Sequence, residues 1–392
     1  MNARVVKKKN NYYIDLEWYH KSNRETKTIS VRKELGLDRP AKKKEANALR
    51  DKIMYEQRRG VYVQPSSKPF GEFIAEWIEN HKYSIKPTTY ESYKSKITNH
   101  IIPELGKIPL SSLRPSHIKA FYSKKLQDGG RMDGKKGGLS NRVVRYMHTI
   151  MGAALDAAIE DEFVVKNVVK SVTPPAYIKP SIEYWSWELA KEFLESTRND
   201  RYHLFYYIAL STGMARGEIL GLRWRDINWK KHTVSIRQSV VPIEGKAVIQ
   251  PSLKTKSRER TLDVSENFIT ILKKHKKKQS EEMLALGIKN PNDLIFLTTH
   301  STILHPRDID SYLKRAIKRF NKKRGLDQEK LNRIGIHGLR HTYATHLLEE
   351  GVHPKIVSER LGHANIQVTL DTYSHVSPRL HKEIATLTDD LG

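Results

Sequence analysis

Three short stretches in the last sixty residues gather side chains suited to acid–base and anion chemistry. Gly335-Ile-His337-Gly338-Leu339-Arg340-His341-Thr-Tyr-Ala-Thr is followed by Glu359-Arg-Leu-Gly362-His363 and then by Thr369-Leu-Asp-Thr372-Tyr373. Two further stretches lie upstream, Thr212-Gly-Met-Ala-Arg-Gly-Glu218-Ile-Leu-Gly-Leu-Arg-Trp224 and Leu253-Lys254-Thr-Lys-Ser. Imidazole moves protons near neutrality, and guanidinium offers paired N–H donors to planar anions. Taken singly, each residue is unremarkable: one tyrosine among 18 is usually packing or surface, and Lys254 sits in a run of cations that reads as a solvated face. Their joint spacing carries the functional reading. His337 and His341, four apart, with His346 and His363 beyond them, also raise a metal site, but no His-Glu-x-x-His motif or carboxylate triad completes a ligand set. No metal or cofactor is therefore expected, and the absence of cysteine removes thiol nucleophiles, thiolate ligands and disulfides.

Charge narrows the class of partner. The 392 residues carry 70 Lys and Arg against 44 Asp and Glu, a formal net charge of +26. Such an excess calls for a polyanion, and release of condensed counterions makes nucleic acid the first candidate. A membrane is disfavoured, because no run of about 18 apolar residues occurs and the cations are spread along the chain. Lys7, Lys8 and Lys9 open the sequence without the apolar stretch of a secretory signal, so an intracellular protein is expected.

In order and spacing, the three C-terminal stretches resemble the His-x-x-Arg, Leu-Gly-His and nucleophile boxes of the tyrosine recombinases, the integrases of phages and conjugative transposons. The stretch from Thr212 resembles that family's first-arginine box, and the one around Lys254 the hairpin that carries its lysine. The resemblance implies that Tyr373 attacks a scissile phosphodiester, displacing the 5′-hydroxyl and leaving a 3′-phosphotyrosine link. It further implies that Arg340 clamps the phosphate, His363 donates to it, His337 assists proton transfer and Lys254 protonates the leaving oxygen, with Glu218 orienting the arginines. The implied partners are double-stranded attachment sites, core and arm, bound by a homo-tetramer that passes through a four-way junction. An excision factor and a host DNA-bending protein are the accessory partners such an assembly would use, in the cytoplasm of a bacterial host and at its nucleoid.

One position departs from the family pattern. Where the first catalytic arginine belongs, this chain has Ala215, and a methyl group cannot hold a phosphate. Arg216 is adjacent, but one helical step turns a side chain by roughly 100°. A deliberate arginine-to-alanine change is the favoured explanation, natural divergence the other; on either, an impaired catalyst that still binds DNA is expected. The competing readings are a non-catalytic, sequence-specific DNA-binding regulator on a recombinase scaffold, and a topoisomerase sharing the phosphotyrosine chemistry.

The elements that must position these residues read as a mainly α, multidomain (α+β) chain. Residues 1–64 carry 17 Lys and Arg against 8 Asp and Glu. Alternation at Tyr12, Ile14, Leu16 and Trp18, a second strand over 27–32 and a helix over 41–59 make them a small β-sheet-plus-helix module, which resembles an arm-type DNA-binding domain. Residues 65–173 read as a four-helix core-binding domain. They are interrupted at 129–138 by five glycines among basic residues, where Arg131, Lys135 and Lys136, like Lys7, Lys8 and Lys9 earlier, are candidate DNA contacts. Residues 174–392 read as a mostly helical catalytic domain with a short antiparallel sheet from 233–238 and 247–264. The segment from Pro378 reads as an amphipathic tail helix that docks on a neighbouring protomer.

Overall fold

The computed structural model describes residues 2–20, 23–58, 67–127, 131, 134, 136–178, 180–251, 253, 256–325 and 327–373, and for 18–20, 23–25, 56, 58, 256 and 373 the backbone alone. The chain divides into two compact units, residues 1–178 and 179–392.

The first unit holds two separate cores. Strands β1 (Asn2–Lys8), β2 (Asn11–His20) and β3 (Asn23–Ser30) form an antiparallel meander in which Ile14 pairs with Val5 on one side and Ile29 on the other. Strand alternation sends Ile14 and Leu16 inward, where α1 (Val31–Glu34) and α2 (Lys43–Arg58) cover them with Val31, Ala46, Leu49 and Ile53. Strand β1 was not foreseen, because three of its seven residues are Arg or Lys and only Ala3 and Val5 mark its inner face. The expected strand over 27–32 starts earlier and stops at Ser30, since Val31 already turns into α1.

The second core lies among α3 (Phe70–His81), α4 (Pro87–Lys96), α5 (Ile102–Leu105), α6 (Pro115–Gln127) and α7 (Asn141–Glu160). Phe70, Phe73, Ile74, Trp77 and Ile78 form the buried stripe of α3, and Ala154 and Ala158 let α7 pack closely. The segment expected as one helix over 88–100 is instead α4 joined to α5 by a π turn at Ile97–Ile101. No residue of α4 is buried, whereas Ile97, His100 and Ile101 are. One wide turn shifts the helical phase and brings the apolar positions onto the core.

The second unit is built around α9 (His203–Thr212), a helix apolar on nearly every face, which packs against α8 (Trp187–Ser196), α10 (Arg216–Leu220) and α13 (Ile336–Glu349). Beside it β4 (Ile227–Asn228), β5 (Thr233–Ile236) and β8 (Arg260–Asp263) form an antiparallel sheet, and β6 (Ser239–Ile243) and β7 (Lys246–Gln250) a separate hairpin. The stretch 247–264, expected to belong to the short sheet, holds β7 and β8, with a 3-10 turn at Lys256–Arg258 between them; β8 joins β5 in the three-stranded sheet while β7 pairs with β6 in the separate hairpin. Helices α11 (Glu266–Leu286) and α12 (Pro306–Lys322) complete the main core; α14 (Pro354–Leu361) adds a small cluster with α13 through Tyr343, Leu348, Val357 and Leu361, and α15 (Ile366–Tyr373) follows. The start of the second unit is anchored within it, where the Thr342 hydroxyl accepts the Trp185 backbone N–H (3.0 Å) and the Trp185 indole donates to the Asn332 carbonyl (3.1 Å). The β-strand and helix patterns of this unit thus leave one end at which α10, α13, α14 and β8 converge.

Candidate active site

Thr212-Gly213 ends α9 in a left-handed residue, Gly213 at φ 64°, and the chain turns sharply into α10. A Cβ on Gly213 would lie 2.5 Å from the Tyr343 ring and 2.7 Å from Leu361, so both backbone angle and space require glycine. This close approach delivers the Gly213 carbonyl to Arg340. The Arg340 guanidinium donates through one terminal nitrogen to Gly213 O (2.8 Å) and through the other to Leu361 O (2.7 Å). A planar fork meeting two carbonyls in this way has its orientation fixed. Arg340 is 2% exposed, so it acts as a built-in cation tying the Thr-Gly turn to the Leu-Gly-His turn.

Glu218 organises the opposite wall. Its carboxylate accepts the Ala215 backbone N–H (3.0 Å) and a guanidinium N–H of Arg260 (3.1 Å), while Arg258 stands 3.6 Å from its other oxygen. Arg260 in turn donates to the carbonyls of Arg360 (2.6 Å) and Arg258 (3.0 Å). Buried at 2% exposure, Glu218 would be costly as an isolated anion, and the two arginines offset that cost. It therefore orients Arg258 and Arg260; Arg340 is held by carbonyls instead.

Ala215 precedes α10 in extended backbone, φ −70° and ψ 152°, and supplies no side-chain acceptor to its first turn. The step from 215 to 216 is thus not the helical step assumed from sequence. Arg216 opens α10, and its guanidinium is engaged by Asp310 of α12.

The two histidines meet these cations from different helices. His337 is the second residue of α13, where unpaired backbone N–H groups disfavour added positive charge, and its ring packs edge-on to His341 at 4.5 Å. Desolvation, then Arg340, Arg258 and Arg216, hold its pKa below the ordinary imidazole value. His337 keeps solvent-exposed surface, so the neighbouring cations matter more here than the burial does. His363 follows the left-handed Gly362 that ends α14. Burial, then Arg340, Arg258, His337 and Arg260, push it down to about 4. Its Nδ1 lies 2.8 Å from the hydroxyl of the fully buried Thr369 on α15. A neutral ring that accepts the Thr369 hydroxyl at Nδ1 carries its proton on Nε2, free to be donated. Tyr373 closes α15 one turn beyond Thr369.

Arg340, His337 and His363 are therefore brought together, with the backbone of Ala215 across Glu218 from them and Tyr373 at the end of the helix that His363 touches. Lys254, Lys135 and the tail from Pro378 lie outside the described residues. Lys7 and Lys8 lie over the Tyr12 and Tyr13 rings at 5.8 Å, and Lys9 turns the β1–β2 hairpin at φ 54°. Arg131 donates weakly to Gly138 O (3.5 Å), and Lys136 is exposed. Arg258, Arg260 and Thr369 were not singled out from sequence. The only available signal was the Arg-x-Arg spacing before a short strand, lost within a cation-rich run. Among the described residues no group of three or more His, Asp or Glu is placed to hold a metal ion.

Residues 188–379 match the phage integrase family, and residues 69–126 match the phage integrase N-terminal SAM-like domain. A tyrosine recombinase XerC-like protein of Caldanaerobacter subterraneus subsp. tengcongensis is 29% identical over 89% of this chain and 90% of its own length. The ICEBs1 integrase of Bacillus subtilis is 26% identical over the same shares, 89% and 90%. Among solved structures, the Tn1549 transposon integrase in complex with a circular intermediate DNA aligns with a TM-score of 0.66 at 22% identity, over 81% of this chain and 100% of that one. A lambda integrase from a tetramer bound to a Holliday junction aligns at 0.53 and 18% identity, over 92% and 95%. At these identities the structural likeness is one of fold.

Proposed function

Because the chain belongs to the phage integrase family of tyrosine recombinases, we propose that it is the site-specific recombinase of a phage or conjugative transposon, cutting and rejoining duplex DNA through Tyr373. The observation that carries this reading is the convergence of Arg340, His337 and His363 on one site walled by Glu218 and its arginines, beside the helix that ends in Tyr373. The tyrosine oxygen attacks the scissile phosphorus, the 5′-oxygen leaves, and the phosphodiester energy is kept in a 3′-phosphotyrosine bond, so no nucleotide cofactor is needed. Negative charge accumulates on the non-bridging oxygens as the bond order changes. Arg340 meets it with a fixed charge, and His363 with an Nε2–H aimed by Thr369. His337, neutral at pH 7, takes the tyrosine proton, and Lys254 delivers one to the departing 5′-oxygen.

The remaining parts fit DNA by charge. Residues 1–64 serve as the arm-site domain, with Lys7, Lys8 and Lys9 at one hairpin end; residues 65–173 bind the core site, with Arg131, Lys135 and Lys136 along the backbone; residues 174–392 cleave. Four protomers on two duplexes exchange strands through a Holliday junction in the bacterial cytoplasm, and the tail from Pro378 docks on a neighbour. An excision factor and a host bending protein act on the same assembly. No helix among the described residues is long and apolar enough to cross a membrane.

Ala215 favours two refinements: cleavage slower than an arginine at that position would give, by about 10²- to 10³-fold, or a DNA-binding regulator that does not cleave. The chain and its Ala215→Arg variant are incubated with nicked duplexes from the two junctions of the mobile element that carries the coding sequence, and adducts are sought that Tyr373→Phe abolishes. A Tyr373-dependent adduct, faster with Ala215→Arg, is the expected result. If both proteins bind and neither reacts, the regulator is the better account.

A further inference from the structure

Resting on the recombinase reading, we infer that Arg258 supplies to the scissile phosphate the guanidinium that position 215 lacks, reaching the site from the turn before β8 rather than from the start of α10. Three observations place it there. Its guanidinium stands 3.6 Å from Glu218 Oε1, and the other oxygen of that carboxylate holds the Ala215 N–H, so the Arg258 tip and the Ala215 backbone are one carboxylate apart. Its backbone lies under the Leu-Gly-His turn, since a Cβ on Gly362 would come within 3.2 Å of Arg258 Cα. And its charge is felt by both imidazoles: Arg258 is among the cations that hold His337 and His363 below the ordinary value.

The neighbouring arginines show what a structural role looks like here. Arg260 is 8% exposed and spends its donors on Glu218, Arg258 O and Arg360 O. Arg216 is engaged by Asp310. Arg258 is 33% exposed, and its side chain makes no hydrogen bond among the described residues. The oxygen it faces, Glu218 Oε1, is buried without a hydrogen-bond partner there. Arg258 is thus steered by charge, not locked by a hydrogen bond, and keeps its N–H fork for an anion entering beside His363. An ion pair at this separation loses little when a phosphate takes the fork.

The test compares Tyr373-dependent adduct formation by four proteins: the chain, Arg258→Ala, Ala215→Arg, and both changes together. Each is offered the nicked junction duplexes with a normal scissile phosphodiester or with a neutral methylphosphonate in its place. Arg258→Ala is expected to slow adduct formation by about 10²- to 10³-fold in the Ala215 chain, to matter far less once Ala215→Arg is present, and to lose its effect on the uncharged methylphosphonate. Arg258→Lys, which keeps the charge and loses the fork, should recover part of the rate, and thermal melts of each variant report folding. Equal rates for the chain and Arg258→Ala overturn the inference. So does an inert chain beside an active Ala215→Arg, or an equal loss on the methylphosphonate, which would make Arg258 a structural residue. In all three cases the recombinase reading stands. If none of the four proteins forms an adduct, that reading itself fails.

Discussion

Acid should destabilise the second unit, residues 179–392, through His363, and the size of the effect follows from its surroundings. In the folded protein burial and four nearby basic groups push this imidazole from 6.5 down to about 4. The unfolded chain therefore binds a proton between those values that the folded chain refuses. Stability must fall as pH drops below 6.5, and the loss is complete once pH passes below the folded value. Between pH 7 and pH 4.5 the full difference corresponds to about 2.5 kcal/mol at 1.36 kcal/mol per unit. Partial exposure of the ring screens the cations and reduces this to about 1–2 kcal/mol. His337, also depressed, acts in the same direction. Urea unfolding of the whole chain and of His363→Gln, each at pH 7 and pH 4.5, isolates the residue, because the carboxylates contribute alike to both proteins. The chain should lose about 1–2 kcal/mol more than the variant, read from the shift of midpoint at constant slope. Equal losses would show that His363 is not held neutral by its neighbours, and the assignment of a neutral tautomer accepting the Thr369 hydroxyl would go with it.

Gly213→Ala should lower stability by about 2–4 kcal/mol, since the new Cβ meets Tyr343 and Leu361 below 3 Å at a positive φ; a calorimetric melt unchanged from the parent would refute the close approach. Arg340→Lys keeps a charge but cannot bridge the Gly213 and Leu361 carbonyls, so adduct formation by an Ala215→Arg protein should fall about 10²- to 10³-fold. Undiminished cleavage would remove the fork from the mechanism. Glu218→Gln leaves the buried Arg260 without its counter-charge, and denaturant unfolding should show a loss of about 3–5 kcal/mol.

The site was legible in sequence where its geometry is local. The Thr-Gly, His-x-x-Arg and Leu-Gly-His stretches each sit at a helix terminus, so their residue types and the turn that presents them lie within a few positions of one another. What faces them was not legible. Arg340 is fixed by carbonyls 127 and 21 residues away, and Glu218 meets Arg260 42 residues on, in a strand whose cations looked like a solvated face. Thr369 carried no role until α15 placed its hydroxyl on His363. The same limit explains the fold. Ile14 and Leu16 or the stripe on α3 announce their elements through clean periodicity, whereas the π turn at Ile97–Ile101 exists because the core pulls three residues inward against the phase of α4. A nearest-neighbour pattern contains no term for that.

The cations at the site have one further consequence. Arg340, Arg258 and Arg260 converge where, among the described residues, one buried carboxylate, Glu218, offsets them, and both imidazoles are held below the ordinary value. Repulsion is thus relieved in the free protein by neutral histidines. An anion placed there would offset those cations and raise the proton affinity of both rings. The same field that holds an anion ground state also favours the more highly charged transition state, in which negative charge builds on the non-bridging oxygens. With an alanine at position 215 the field is still in place, because the carbonyls around Arg340 and the carboxylate of Glu218 hold these cations without any side chain from that position.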